Sequence, residues 1–134
     1  MRKYAVERTS ILLRRMAFRM HRAARLHHAD SIHDLRVSVR RFQQCLRVFQ
    51  QFFPGGAVKK IHKRLHMVME LSGEVRNRDI ALYLLRKAGP PPDSALSAVL
   101  LEQKKHAQNE LSRLLRRWGR RDVSRKWRSR LRLR

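Results

Sequence analysis

Acidic residues are scarce. Ten Asp and Glu stand against 33 Lys and Arg in 134 residues, a formal net charge of +23. Ten carboxylates scattered along a chain do not readily make an acidic metal cage, and no two are spaced for general acid/base or metal–phosphate chemistry. Cysteine is nearly absent too. Cys45 alone excludes an intrachain disulfide and makes a reducing, cytoplasmic home the expectation. Long apolar runs are missing: Arg14, Arg15 and Arg19 break the stretch from Ile11 to Met20, so neither a signal peptide nor a membrane span is expected. Glycine and proline are few and sit together at Pro54-Gly55-Gly56, Ser72-Gly73, Gly89-Pro90-Pro91-Pro92 and Gly119. Strand-like alternation is absent, and with it a glycine-rich phosphate cradle following a strand. No Ser-His-Asp or Cys-His constellation has recognisable local context. A non-catalytic protein with no cofactor and no resident metal is the expectation.

The length suits one domain with one core. Between the breakers the periodicity is helical throughout, which predicts an all-α fold, an antiparallel four-helix bundle with long basic helices. The helices run roughly over 3–27, 31–53, 57–88 and 94–118. This predicts a helical bundle over 1–118 and a basic C-terminal tail or short helix over 119–134. The first helix gathers Val6, Leu13, Met16, Ala17, Met20 and Ala24 on one face and Arg15, Arg19, Arg22 and Arg25 on the other. In the second, Leu35, Val39, Phe42, Leu46, Phe49 and Phe53 fall within about 80° of arc, a core stripe. Ser31 is its expected N-cap. The third buries Val58, Ile61, Leu65, Val68 and Val75, with Ser72-Gly73 marking a kink or a close approach. The fourth, capped by Asp93 or Ser94, turns Leu96, Val99, Leu100, Ala107, Leu111, Leu114 and Trp118 inward and Lys105, Arg113 and Arg116 outward. Pro90 to Pro92 read as a stiff connector. The tail is a disordered arm or a basic helix anchored by Trp127. The faces taken by Phe18, Tyr83 and Trp127 stay open.

A charge of this size points to a polyanionic partner: nucleic acid, an anionic membrane surface or a phosphate polymer. Arginine outnumbers lysine about threefold. That suits bidentate contact with phosphate oxygens, although an arginine-favouring codon usage accounts for it equally well. His33, Arg36, Arg40 and Arg47 fall within about 60° of one another on the second helix, away from its core stripe. Their mutual repulsion calls for an anion to relieve it. A bound polyanion would favour proton uptake by His33, which otherwise reads as a capping or core histidine near the helix start. His62 and His66, at i,i+4, share a helix face. They read as surface histidines, because no third zinc ligand accompanies them.

One string carries more than periodicity. His33-Asp34-Leu35-Arg36-Val37-Ser38-Val39-Arg40-Arg41-Phe42, followed by Arg47, resembles the signature helix of the CHAD family, the conserved histidine α-helical domain. Gly73-Glu74-Val75-Arg76-Asn77-Arg78-Asp79-Ile80 resembles a second family segment, with Asn77 where Asp is more usual. The resemblance implies a strongly basic helical domain that binds inorganic polyphosphate through Arg, Lys and His side chains lining a groove or cavity. By match it assigns that role to His33, Arg36, Arg40, Arg41, Arg47 and Arg76, with Asp34 and Asp79 holding arginines in place. Lys60, Lys63, Arg64 and Lys104 join by helix position, and Arg15 and Arg22 from the cationic stripe of the first helix.

Family domains contain two four-helix bundles related by approximate two-fold symmetry, and the resemblance covers about residues 5–118, one half. Two chains pairing to rebuild the double bundle, with basic faces meeting around the ligand, is therefore an expectation. Repulsion between two such cationic chains opposes it without polyanion. Polyphosphate offers no base edges, so recognition would rest on charge density and on cations spaced about 5–6 Å along a helix. Location at polyphosphate granules would follow from that ligand. The rivals are a DNA- or RNA-binding protein of general polyanion affinity, a peripheral membrane binder using the first helix or the tail, and a basic scaffold for a protein partner.

Overall fold

The computed structural model describes residues 1–89 and 94–133, and the described residues form five α-helices and no strand. Helix α1 spans Arg2–Arg25, α2 Ala29–Val48, α3 Gly55–Ala88, α4 Ala95–Arg120 and α5 Val123–Arg130. The all-α expectation holds. The helices pack as a bundle in which α1 and α3 each touch both α2 and α4, and α5 packs on α1, α3 and α4. No described helix is long and apolar enough to cross a membrane.

The core follows the apolar stripes. Leu13 and Met16 of α1, Leu35, Val39, Phe42 and Leu46 of α2, and Ile61, Leu65, Val68 and Val75 of α3 are all but fully enclosed. Helix α2 begins earlier than expected. His28 is its N-cap, and Ser31, taken as the cap from sequence, lies one turn inside, buried, its Oγ without a partner. The helix ends at Val48, and a 3-10 turn over Gln50–Phe52 brings Phe53 back into the core. Ser72-Gly73 does not break α3, which is continuous from Gly55 to Ala88. Ser94 caps α4 by accepting from the Ser97 amide at 3.2 Å, while Asp93 and the Pro90–Pro92 connector lie outside the described residues.

The C-terminal segment joins the core. Asp122 takes a left-handed backbone, a conformation Asp tolerates better than most side chains, and turns the chain from α4 into α5. Trp127 then stacks on Phe42, rings 5° from parallel and 6.5 Å apart, and meets Trp118 edge-on at 5.5 Å. Val123, Leu131 and Leu133 are buried with it, and Arg128 bonds to Ser10 of α1. Of the three aromatics left open from sequence, Trp127 is thus core, and Phe18 and Tyr83 are exposed.

Helices α3 and α4 outreach their partners. The turn from α1 to α2 sits level with Ser112 of α4, bonded to His27, and with Arg76 of α3, bonded to His33. Beyond those contacts α3 continues for 12 residues, about 18 Å, and α4 for 17, about 25 Å, as an arm. Asp79–Lys104 (2.6 Å) and Arg78–Gln103 (3.2 Å) tie it across. Leu96 and Val99, assigned to the core from sequence, are more than half exposed on this arm, because neither α1 nor α2 reaches far enough to cover them. Ile80, Tyr83, Leu84 and Leu101 are exposed there too.

Trp127→Ala is expected to lower the unfolding free energy by about 3–5 kcal/mol in urea titration, the usual cost of emptying a large aromatic site. A loss below about 1 kcal/mol would show that α5 is not part of the cooperative core.

Candidate anion-binding groove

Three contacts fix how α2 and α3 lie against each other. Arg76 Nη1 is 3.4 Å from His33 Nδ1. Arg36 Nη1 donates to the Met69 carbonyl at 2.8 Å and to Ser72 Oγ at 2.9 Å. Arg47 lies near enough to His62 for its charge to act on the imidazole. The helices are therefore antiparallel. The groove between them runs from His33 to Arg47 on α2, about 21 Å at the helical rise.

Arg36 is its centre. The guanidinium is half-buried and crosses from α2 to α3 above Gly73, where an added Cβ would stand 3.1 Å from Nη1. This is the close approach that Ser72-Gly73 signals in the sequence. Burial pushes the Arg36 pKa below its ordinary value, and the neighbouring charges of Arg40 and then Arg76 push the same way. The side chain still carries its charge at neutral pH. Among the described residues no carboxylate pairs with that charge, and its Nε has no hydrogen-bond partner.

The α2 wall and the first part of the α3 wall lack acid because the chain does. No Asp or Glu occurs between Asp34 and Glu70. Asp34 itself turns to α1 and pairs with Arg19 at 3.2 Å. At the far end His62 and Lys59 share a hollow with Gln50 and Gln51. Both ring nitrogens of His62 are buried without partners. Burial first, and Arg47 second, hold its pKa below the usual imidazole value.

Of the residues proposed from sequence, His33, Arg36, Arg40, Arg47 and Arg76 come together here. Exposed His33 is neither the cap nor a core residue. Arg41 and Arg15 instead line a separate hollow between α1 and α2, with Arg14, Arg19 and Phe18. Arg22 is exposed further along α1. Lys60 and Arg64 are exposed on α3 about 160° from His62 around the axis, and Lys63 about 100°. Lys104 is held by Asp79 at 2.6 Å, so Asp79 fixes a lysine where an arginine was expected. Lys59 and His62 were missed as groove residues. The seven-residue spacing of His62, Met69 and Arg76 was the available signal, because it puts all three on one face. His66, the other half of the i,i+4 pair, bonds Glu70 at 3.0 Å. No group of three or more His, Cys, Asp and Glu is placed to hold a metal ion among the described residues.

A family model for the CHAD domain matches residues 11–134, nearly the whole chain and both motif segments. The chain belongs to the CHAD domain family. No curated protein and no solved structure matches it. In this CHAD domain the signature helix, α2, supplies one wall of the groove, and the second segment supplies Gly73 and Arg76 on the other.

The depressed His62 pKa has a direct consequence for pH. In the free protein the unfolded chain takes up the proton first below about pH 6.5, so acid weakens the fold through this group. An anion in the groove stabilises the imidazolium and opposes that trend. Anion affinity should therefore rise between about pH 7.5 and about pH 5.5, and His62→Leu should remove part of the rise while leaving the fold as stable or more so. A pH profile identical to that of the parent protein would place His62 outside the site.

Proposed function

We propose that this CHAD domain binds inorganic polyphosphate, without catalysis, in the groove between α2 and α3. The observation that carries the reading is a track of cations about 21 Å long with no carboxylate from residue 35 to residue 69, while Glu70 and Glu74 of α3 stand about 80° and about 120° from His62 around the helix axis. Repulsion along such a track is relieved by a linear polymer with one charge or more per unit. Arg40 and Arg47 are exposed and can turn their forks to successive phosphates, and Arg76, also exposed, touches His33 through Nη1 alone. Arg36 adds charge from beneath them. The general link of the family to polyphosphate supports the same ligand. Cytoplasmic residence, including polyphosphate granules, follows from it as part of the proposal.

Nucleic acid is the rival, since net charge serves it equally well. Base stacking needs exposed rings beside the cations. The exposed aromatics Tyr4, Phe18 and Tyr83 lie on α1 and on the arm, away from the groove, and Phe18 stands beside arginines only in the α1–α2 hollow. As protein partner we propose a second copy of the chain. The bare apolar surface on the arm is a natural place for it, because residues 80–85 and 95–101 carry no charge in a chain of +23. Light scattering should then show a dimer. A monomer both with and without polyphosphate would remove the pairing.

The function is tested by competition. Labelled long-chain polyphosphate bound near physiological salt should resist duplex DNA and tRNA offered at equal phosphate concentration. Its length should stay constant in Mg²⁺. By analogy with DNA, affinity resting on about six phosphate contacts should fall about a thousandfold between about 50 and about 200 mM salt. Displacement by nucleic acid as effective as by unlabelled polyphosphate would make the protein a general polyanion binder.

A further inference from the structure

A second recess lies away from the groove, where α5 folds back across the end of α4. It is a half-open cavity of about 460 Å³ between α1, α4 and α5, within the size range of small-molecule sites. Met16, Met20, Leu115, Trp118, Val123 and Trp127 make its floor, and all but half-buried Met20 are buried. Its lip is cationic: His21, Arg25, Arg116 and Arg120 surround the opening, with Asp122 the one carboxylate among the lining residues. Gly119 is among its lining residues. A Cβ there would meet nothing within 4 Å.

The lining selects a ligand class. Polyphosphate has nothing apolar to lay on this floor. A nucleobase needs hydrogen-bond partners, and the floor residues are aliphatic, thioether or indole groups. Unbranched methionines instead adapt to a flexible chain. An apolar body below and three guanidiniums above fit an amphiphile with an anionic head. We infer that this cavity binds a single-chain amphiphilic anion, an alkyl or acyl chain ending in a carboxylate or phosphate. The site is separate from the groove and independent of what the groove binds.

Trp118 and Trp127 are the chain's two tryptophans, and both lie in the floor, so intrinsic fluorescence reports on it directly. Octanoate, decanoate and dodecanoate, the matching alkyl phosphates and uncharged decanol would be titrated below their micelle concentrations. Binding should saturate at one equivalent. Affinity should rise about fourfold per added methylene until the cavity fills. The tighter of the two heads identifies the source, a free fatty acid or a phosphorylated lipid. Gly119→Leu adds a side chain on the lining at a helical position of ordinary backbone angles, so helicity and melting should be unchanged or raised while decanoate affinity drops at least about tenfold. Arg25→Gln with Arg116→Gln should weaken decanoate and leave decanol unaffected. Saturating polyphosphate should not displace decanoate. Affinity independent of chain length, undiminished binding by a folded Gly119→Leu, or displacement by polyphosphate would each overturn the assignment.

Discussion

The guanidinium of Arg36, laid across α3 above Gly73, is the interaction on which the groove depends. It bonds the Met69 carbonyl and Ser72 Oγ, and in doing so sets α2 and α3 in one antiparallel register. That register aligns His33 with Arg76 and Arg47 with His62, turning two separate cationic stripes into one track. The arrangement has a cost. A half-buried cation sits beside Arg40 and Arg76 with no carboxylate to balance it, and its lowered pKa registers that strain. A group in such a state, lying in a groove, is a functional-site candidate.

Four of the ten carboxylates pair away from the track. Asp34 pairs with Arg19 on the α1 side, Asp79 with Lys104 in the arm, Glu70 with His66, and Glu110 with His106. Partly exposed pairs of this kind contribute little to stability. Their effect is placement: Asp34 and Asp79 neutralise cations elsewhere, Glu70 and Glu110 bond histidines, and none of the four pairs with Arg36, Arg40 or Arg47. The same economy leaves the lip of the α1–α4–α5 cavity almost wholly cationic, on a different side of the bundle.

Much of this was legible in the sequence because it is local. The 3.6-residue period of Leu35, Val39, Phe42 and Leu46 defines the buried face of α2, and the same period lines up His33, Arg36, Arg40 and Arg47 beside it. The HDLRV and Gly73–Ile80 strings carried the family. What stayed hidden depends on how helices meet. Leu96 and Val99 continue the apolar stripe of α4, yet nothing in the sequence says that α1 and α2 stop short of them. Lys59 and His62 become groove residues only once Arg36 has fixed the register. Arg41 follows Arg40 in the motif, but one residue is about 100° of helix, enough to turn it to the α1 side. Arg36 looked like a plain phosphate contact, and its bonds to α3 make it a structural strut as well. A variant lacking it would mix loss of ligand with loss of fold.

The central claim is that the track, rather than net charge, binds the polymer. It is tested most directly by two triple variants with equal loss of charge. One removes the exposed Arg40, Arg47 and Arg76 by alanine substitution, leaving Arg36 in place. The other removes the exposed Arg113, Arg117 and Arg121 from α4 and its C-cap. Polyphosphate affinity at fixed salt should fall at least about a hundredfold in the first, as expected for three charge-assisted hydrogen bonds, and only a few-fold in the second. Equal losses in the two would contradict the account and leave a protein that binds by charge alone.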